Sequence, residues 1–198
     1  MSETSPPSAS PVDLGELLEQ SGAVLHGHFL LTSGRHSEVY FEKFRVLERP
    51  DVLSALCTAI ASHFQGVEVD VVAGPTTGGI IIAFEVARQL GVPALYVESV
   101  DGKKTLRRGG AVAAGARVLV VDDVLTTGLS VKETIDVVQA AGGQCIGAGV
   151  LIDRASGDLG FTVPLFAAYR VEAESYAPDA VPDWLAAIPI TKPGTRPS

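Results

Sequence analysis

The chain has 198 residues, of which 46% are hydrophobic and 19% charged, with a formal net charge of −8. This size and apolar content describe one folded domain with a proper core and exclude an intrinsically disordered chain. The negative balance argues against non-specific binding to nucleic acid or to an anionic membrane surface. No apolar stretch approaches a membrane span, and residues 1–11 lack the basic flank and apolar core of a secretory signal. Cys57 and Cys145 both lie in apolar contexts. They read as reduced core thiols of a cytoplasmic protein.

Residues 1–11 are Ser/Pro-rich and are expected to be disordered. A helix is expected over 12–20, with Leu14, Leu17 and Leu18 as its apolar stripe and Gly22 as its stop. Residues 27–44 alternate apolar and polar positions, with Ser33 and Gly34 as a turn, and read as a β-hairpin-like excursion. Pro50 marks a helix start, and the apolar spacing of Val52, Leu53, Leu56, Ile60 and Ala61 carries that helix to about Phe64. A strand over 69–73, a Gly/Thr loop over 74–79 and a helix over 80–90 follow, closed by Gly91 and Pro93. Next come a strand over 94–97 and a polar stretch over 98–110. A buried strand then runs into Asp122 and Asp123, followed by a loop and a helix to Ala141. Further strands are expected over 145–152 and 165–171, then a Pro-rich end with a short helix in which Trp184 packs inward. Strands alternating with helices give an α/β fold with a central parallel sheet flanked by helices.

The stretch 118–130 organises the rest. Val118, Leu119, Val120 and Val121 form a buried apolar run, and two carboxylates, Asp122 and Asp123, follow at once. Burying such a pair is costly unless something binds it. The loop Val124, Leu125, Thr126, Thr127, Gly128, Leu129 and Ser130 then leads into an amphipathic helix, with Ser130 and Glu133 at capping-box spacing. Hydroxyls, free amides and a helix N-terminus suit a phosphate dianion. Adjacent carboxylates suit a diol, a hydrated Mg²⁺, or both. Phosphate beside diol describes a sugar phosphate bound at the carboxyl ends of the strands.

The loop over 74–79, with Thr76, Thr77 and Gly78, is either a tight strand-to-helix turn or a second anion loop. Lys103, Lys104, Arg107 and Arg108 lie among glycines, either as a solvated loop or as a lid that clamps a diphosphate. Arg154 ends a strand on the ligand side, where its guanidinium suits a planar carboxylate or pairs with Asp153. His26, His28 and His36 lie in the edge hairpin, where no carboxylate or Cys partner is expected for them, and read as structural or surface residues.

The 118–130 stretch resembles the phosphoribosyl diphosphate (PRPP) signature of type I phosphoribosyltransferases. The run from Gly102 to Gly109, and the segment around Ser33, Gly34, Arg35 and Ser37, resemble orotate phosphoribosyltransferases. The resemblance spans roughly residues 14–171. It implies the type I phosphoribosyltransferase fold, with a small hood built mainly from 12–48 plus a C-terminal part, in a single domain over 12–190, and a flexible tail over 191–198. It implies transfer of phosphoribose from PRPP to orotate in pyrimidine (UMP) biosynthesis, with Mg²⁺ as cofactor. Asp122, Asp123 and Lys103 would be catalytic, and Mg²⁺ would meet Asp122 and Asp123 mostly through water and PRPP. Residues 124–130, Lys104, Arg107, Thr76, Thr77 and Gly78 would bind PRPP with them. Thr126, Arg154, Ser33 and Gly34 would bind orotate. The resemblance further implies a homodimer that shares the basic loop over 98–110 across its interface. Relatives carry cations where this chain has Thr32, Gly78 and Ser99, and often Glu where it has Asp122. Alternatives are a transferase for another base, or a non-catalytic PRPP-binding regulator.

Overall fold

The computed structural model describes residues 12–193 apart from Thr32, Arg108, Gly109 and Glu172. The expected N-terminal extension, Thr32, Arg108 and the last five positions of the tail therefore lie outside the described residues.

Helix α1 (Leu14–Gln20) starts at the first residue of the apolar stripe and not at residue 12, because Asp13 caps it by accepting from the N–H groups of Gly15 and Glu16. Strands β1 (Val24–Leu30) and β2 (His36–Phe41) pair antiparallel around the turn at Ser33 and Gly34. The alternation does not continue to Phe44. Glu42 caps a short helix, α2 (Lys43–Leu47), that carries the chain from the hairpin to α3 (Pro50–His63), with Pro50 in its first turn.

Strand β3 (Val71–Pro75) begins later than expected, because Asp70 turns aside to clasp the guanidinium of Arg117 at 2.8 and 2.9 Å. Helix α4 (Gly78–Leu90) ends on left-handed Gly91. The polar stretch over 98–110 is not simply a loop. Strand β4 (Ala94–Val100) turns at Asp101 and Gly102 and returns as antiparallel β5 (Lys103–Leu106). Asp-Gly between β-forming residues is a hairpin signal.

Strand β6 (Arg117–Leu125) runs on through the acidic pair, then α5 (Leu129–Ala140) and β7 (Gln144–Asp153) follow. The chain finishes with β8 (Leu165–Arg170), β9 (Ser175–Tyr176), α6 (Asp183–Ala186) and β10 (Ile190–Thr191). In α6 it is Leu185 that is buried, whereas Trp184 is 52% exposed, contrary to its expected packing. Thr191, expected in a flexible tail, pairs with Phe29 of β1.

The main sheet has the order β5-β4-β3-β6-β7-β8 and is parallel except for edge strand β5. A second sheet, β10-β1-β2-β9, gathers the N-terminal hairpin and the chain's end. Strand β6 alternates between two cores: Leu119 and Val121 pack with α3 and α4, Val118 and Val120 with α5. This alternation sets where the next two side chains go.

Candidate active site

Asp122 and Asp123 continue the alternation of β6 at the carboxyl end of the sheet, so their carboxylates diverge to opposite faces. Both are buried, at 5% and 9% exposure. Asp122 goes to the α5 side. Its Oδ1 accepts from the Asp123 N–H at 2.9 Å, and it hydrogen-bonds the Ser130 hydroxyl. Burial pushes the Asp122 carboxyl up; the Ser130 hydrogen bond and the charge of Lys104 act the other way.

Lys104 comes from β5 and donates to the Ser130 hydroxyl at 2.6 Å, to the Ser130 carbonyl at 2.9 Å and to Thr134 Oγ1 at 3.3 Å. Its burial lowers the ammonium's pKa, while Asp122, Glu133 and Asp123 oppose that shift. Ser130 is therefore not the helix cap that its spacing with Glu133 suggests. Gly128 occupies the cap position in the left-handed conformation, φ 74°. Its backbone packs against Leu159 and Phe161, where a Cβ would meet both at 3.0 Å. Thr126 and Thr127 stand exposed on the loop.

Asp123 goes to the other face. Its Oδ1 accepts from the Val124 N–H at 2.7 Å, and its Oδ2 accepts from Lys43 Nζ at 2.8 Å. The start of α4 closes in from the side: a Cβ on Gly78 would lie 2.3 Å from Asp123 Oδ2. Gly78 is thus a close approach between helix and carboxylate, and a cationic side chain at that position would collide here. Each carboxylate is matched to one lysine from a different segment, Lys104 from β5 and Lys43 from α2. Lys43 was not singled out in the sequence, because nothing local marks a lysine at a helix start as a partner for a residue 80 positions away.

Thr76 and Thr77 form the turn between β3 and α4, joined by a cis peptide. The Thr76 N–H is committed to the Val97 carbonyl at 2.9 Å. What this turn offers an anion is its two hydroxyls and the first amides of α4, which a helix leaves unpaired. In the β4–β5 hairpin, Lys103 is exposed and Arg107 lies 3.6 Å from Glu98.

Arg154 follows β7, and its N–H donates to the Leu125 carbonyl at 2.9 Å, which seats it beside Thr126. It does not pair with Asp153. That carboxylate is held by Arg170 at 2.7 and 3.1 Å and by the Ala155 N–H at 2.8 Å. The Arg154 guanidinium lies over the Tyr40 ring at 6.0 Å, and its burial lowers its pKa. Among the described residues no carboxylate is placed against it. Tyr40, in β2, is a second residue that sequence reasoning missed; its place in the hairpin's alternation was its one signal. Ser33 and Gly34 sit at the exposed tip of that hairpin, where Arg35 Nε is tied to Ser175 Oγ at 2.9 Å.

Two carboxylates make a small donor set for a metal. Among the described residues no group of three or more His, Cys, Asp or Glu is placed to hold an ion. The donor set suits Mg²⁺, which favours oxygen and keeps much of its shell as water and ligand phosphate. No helix among the described residues is long and apolar enough to cross a membrane.

The phosphoribosyl transferase domain model matches residues 45–160. Over 180 residues the chain is 48% identical to an orotate phosphoribosyltransferase of Pelotomaculum thermopropionicum, covering 91% of this chain and 95% of that protein. An orotate phosphoribosyltransferase of Chlorobium phaeobacteroides is 45% identical over 91% of this chain and 94% of its own length. Among solved structures, orotate phosphoribosyltransferase from Aeropyrum pernix superposes with a TM-score of 0.70 at 32% identity, covering 80% of this chain and 94% of that one. The domain match begins after Lys43, so the segment bearing Tyr40 and Lys43 lies outside it.

Proposed function

The chain belongs to the orotate phosphoribosyltransferase family, and from that membership we propose that it transfers the 5-phosphoribosyl group from PRPP to orotate, giving orotidine 5′-monophosphate and diphosphate. This is a step of pyrimidine (UMP) biosynthesis. The observation that carries the reading is the half-buried Arg154 guanidinium, free of any carboxylate among the described residues, set beside the loop that follows the acidic pair. Such a cation is costly to bury unless a ligand's carboxylate meets it.

In this reading Asp122 and Asp123 take the ribose hydroxyls, and the loop from Thr126 to Ser130, at the N-terminus of α5, takes the 5′-phosphate. Thr76, Thr77 and the start of α4 face the diphosphate, together with the cations of the β4–β5 hairpin. Arg154 fixes the carboxylate and ring carbonyls of orotate bidentately. Orotate N1, its proton released to solvent, attacks C1 while the C1–O bond breaks and the diphosphate leaves with its electron pair. The protein acts by positioning and charge stabilisation, with little proton transfer of its own. Mg²⁺, held by Asp122 and Asp123 mostly through water and PRPP oxygens, would neutralise charge on the diphosphate.

A homodimer is part of the proposal. Ile81 and Phe84 lie three residues apart on one face of α4, and both are exposed, Phe84 at 63%. Lys104 contacts its own chain's Ser130, which departs from a basic loop given wholly to a partner. Exposed Lys103 remains to face a second subunit. Buried, unpaired Cys57 and Cys145 support a cytoplasmic setting.

The test is the loss of orotate absorbance on mixing protein, orotate, PRPP and Mg²⁺, with and without chelator. Mg²⁺-dependent loss is expected. No loss, with PRPP still bound by calorimetry, would leave the PRPP site standing and remove orotate as the base.

A further inference from the structure

We propose that Lys43 is a positioning residue for PRPP. It locks the Asp123 carboxylate in place and couples it to the hairpin that bears the base-side residues. The inference rests on the reading of Asp123 as a ribose ligand.

Three observations point to it. First, Lys43 Nζ and Asp123 Oδ2 are 2.8 Å apart, with the carboxylate side chain 12% exposed and the lysine side chain 40% exposed. The lysine stem reaches in from solvent and delivers one charge to a nearly closed site. Second, among the described residues Asp123 is otherwise held by one local side-chain bond, from the Val124 N–H to Oδ1. The start of α4 closes in beside Oδ2, where a Cβ on Gly78 would lie 2.3 Å away, and Lys43 Nζ is the charged partner set on that oxygen. Third, Lys43 is the first residue of α2, directly after the Glu42 cap and β2, and Tyr40 lies three positions earlier, over Arg154. One short segment therefore touches both the acidic pair and the candidate base site. A shift of β2 relative to the main sheet would move Tyr40 on Arg154 and Lys43 on Asp123 together.

Lys43 thus does for Asp123 what Lys104 does for Asp122 through Ser130. The two differ in what they tie down. Lys104 fastens an edge hairpin to α5, whereas Lys43 fastens the smaller sheet to the central strand.

The experiment is calorimetric binding of PRPP to the full chain and its variants, with thermal midpoints to confirm folding. Lys43→Met is expected to weaken PRPP binding roughly 10- to 100-fold, the range for losing a charged hydrogen bond. Lys43→Arg, which keeps the cation, is expected to recover most of that loss. Lys43→Met added to Asp123→Asn is expected to weaken binding little beyond Asp123→Asn alone, because the lysine acts through the carboxylate. Binding by Lys43→Met within about twofold of the unaltered chain would overturn the inference, as would losses that simply multiply in the double variant. Failure of the unaltered chain to bind PRPP would instead refute the proposed function.

Discussion

His28 and His36 meet inside the β1–β2 hairpin, Nε2 to Nδ1 at 2.6 Å, and both are buried. His28 Nδ1 lies 3.0 Å from the Ile188 carbonyl, which can only accept. His28 therefore carries its hydrogen on Nδ1 and, with both rings neutral, accepts at Nε2 from His36 Nδ1–H. The pair passes a hydrogen bond from β2 through β1 to the segment that leads into β10. Two of the histidines read as structural or surface residues in the sequence thus fasten the chain's end to its beginning.

His36→Ala removes the donor and leaves the buried His28 Nε2 unsatisfied. We expect a loss of about 1–3 kcal/mol. That corresponds to a thermal midpoint lower by roughly 2–4 °C per kcal/mol for a chain of this size. An unchanged midpoint would show that the pair contributes nothing to holding the smaller sheet.

Asp122→Asn is expected to separate function from stability. Burial holds the Asp122 carboxyl above its usual range, so the folded state disfavours its ionised form. A raised carboxyl contributes stability below its unfolded value, and that contribution is lost as pH rises through the folded value. The variant should therefore be more stable than the unaltered chain at neutral pH, with the gap closing toward pH 4. Turnover should fall by roughly 10²-fold or more, the scale for losing a group that stabilises developing charge. Thermal melts across pH, paired with orotate consumption, read both effects. A lower midpoint at neutral pH would contradict this account.

Glu85 has the opposite sign. Hydrogen bonds from Arg88, Gln89 and Ser54 hold its carboxyl down at about 2. Its contribution is present above the ordinary glutamate range and fades as pH falls from about 4.5 toward 2. Glu85→Gln should cost about 1 kcal/mol near neutrality, since Arg88 is largely exposed and screened. The variant should also lose less stability than the unaltered chain on acidification. Urea melts at neutral pH and at pH 3 give the comparison; parallel losses in the two proteins would dismiss the role of Glu85.

Arg154→Met is expected to raise the KM for orotate by roughly 10²-fold, because a bidentate, half-buried contact is lost. PRPP affinity should barely move, since the acidic pair and the phosphate loop are untouched. Steady-state kinetics with each substrate varied in turn, alongside PRPP calorimetry, separates these. A loss that falls equally on PRPP would show that Arg154 supports the phosphate loop and does not read the base.

Much of the site was legible in the chain because its signals are local. Four buried apolar residues running into Asp122 and Asp123, then Thr126, Thr127 and Gly128 before a helix, specify strand, acidic edge and loop within a dozen positions. Pro50, Gly91 and Asp13 set helix ends through their own backbone and side chains. The Asp101-Gly102 hairpin was equally local and was hidden only by the charge of its surroundings.

By itself the sequence determined the α/β order of elements, the strand that carries the acidic pair and the family to which the chain belongs. The first two depend on residue spacing along the chain, and the family on the resemblance of its motifs. Only the tertiary structure decided the partners. Lys43 reaches Asp123 across 80 positions, His28 reaches Ile188 across 160, and Asp153 takes Arg170 and leaves Arg154 over the Tyr40 ring. Those choices follow from which strand ends and helix starts are brought together when the two sheets pack. The strand's alternation then turns two adjacent carboxylates to opposite faces, each toward its own lysine.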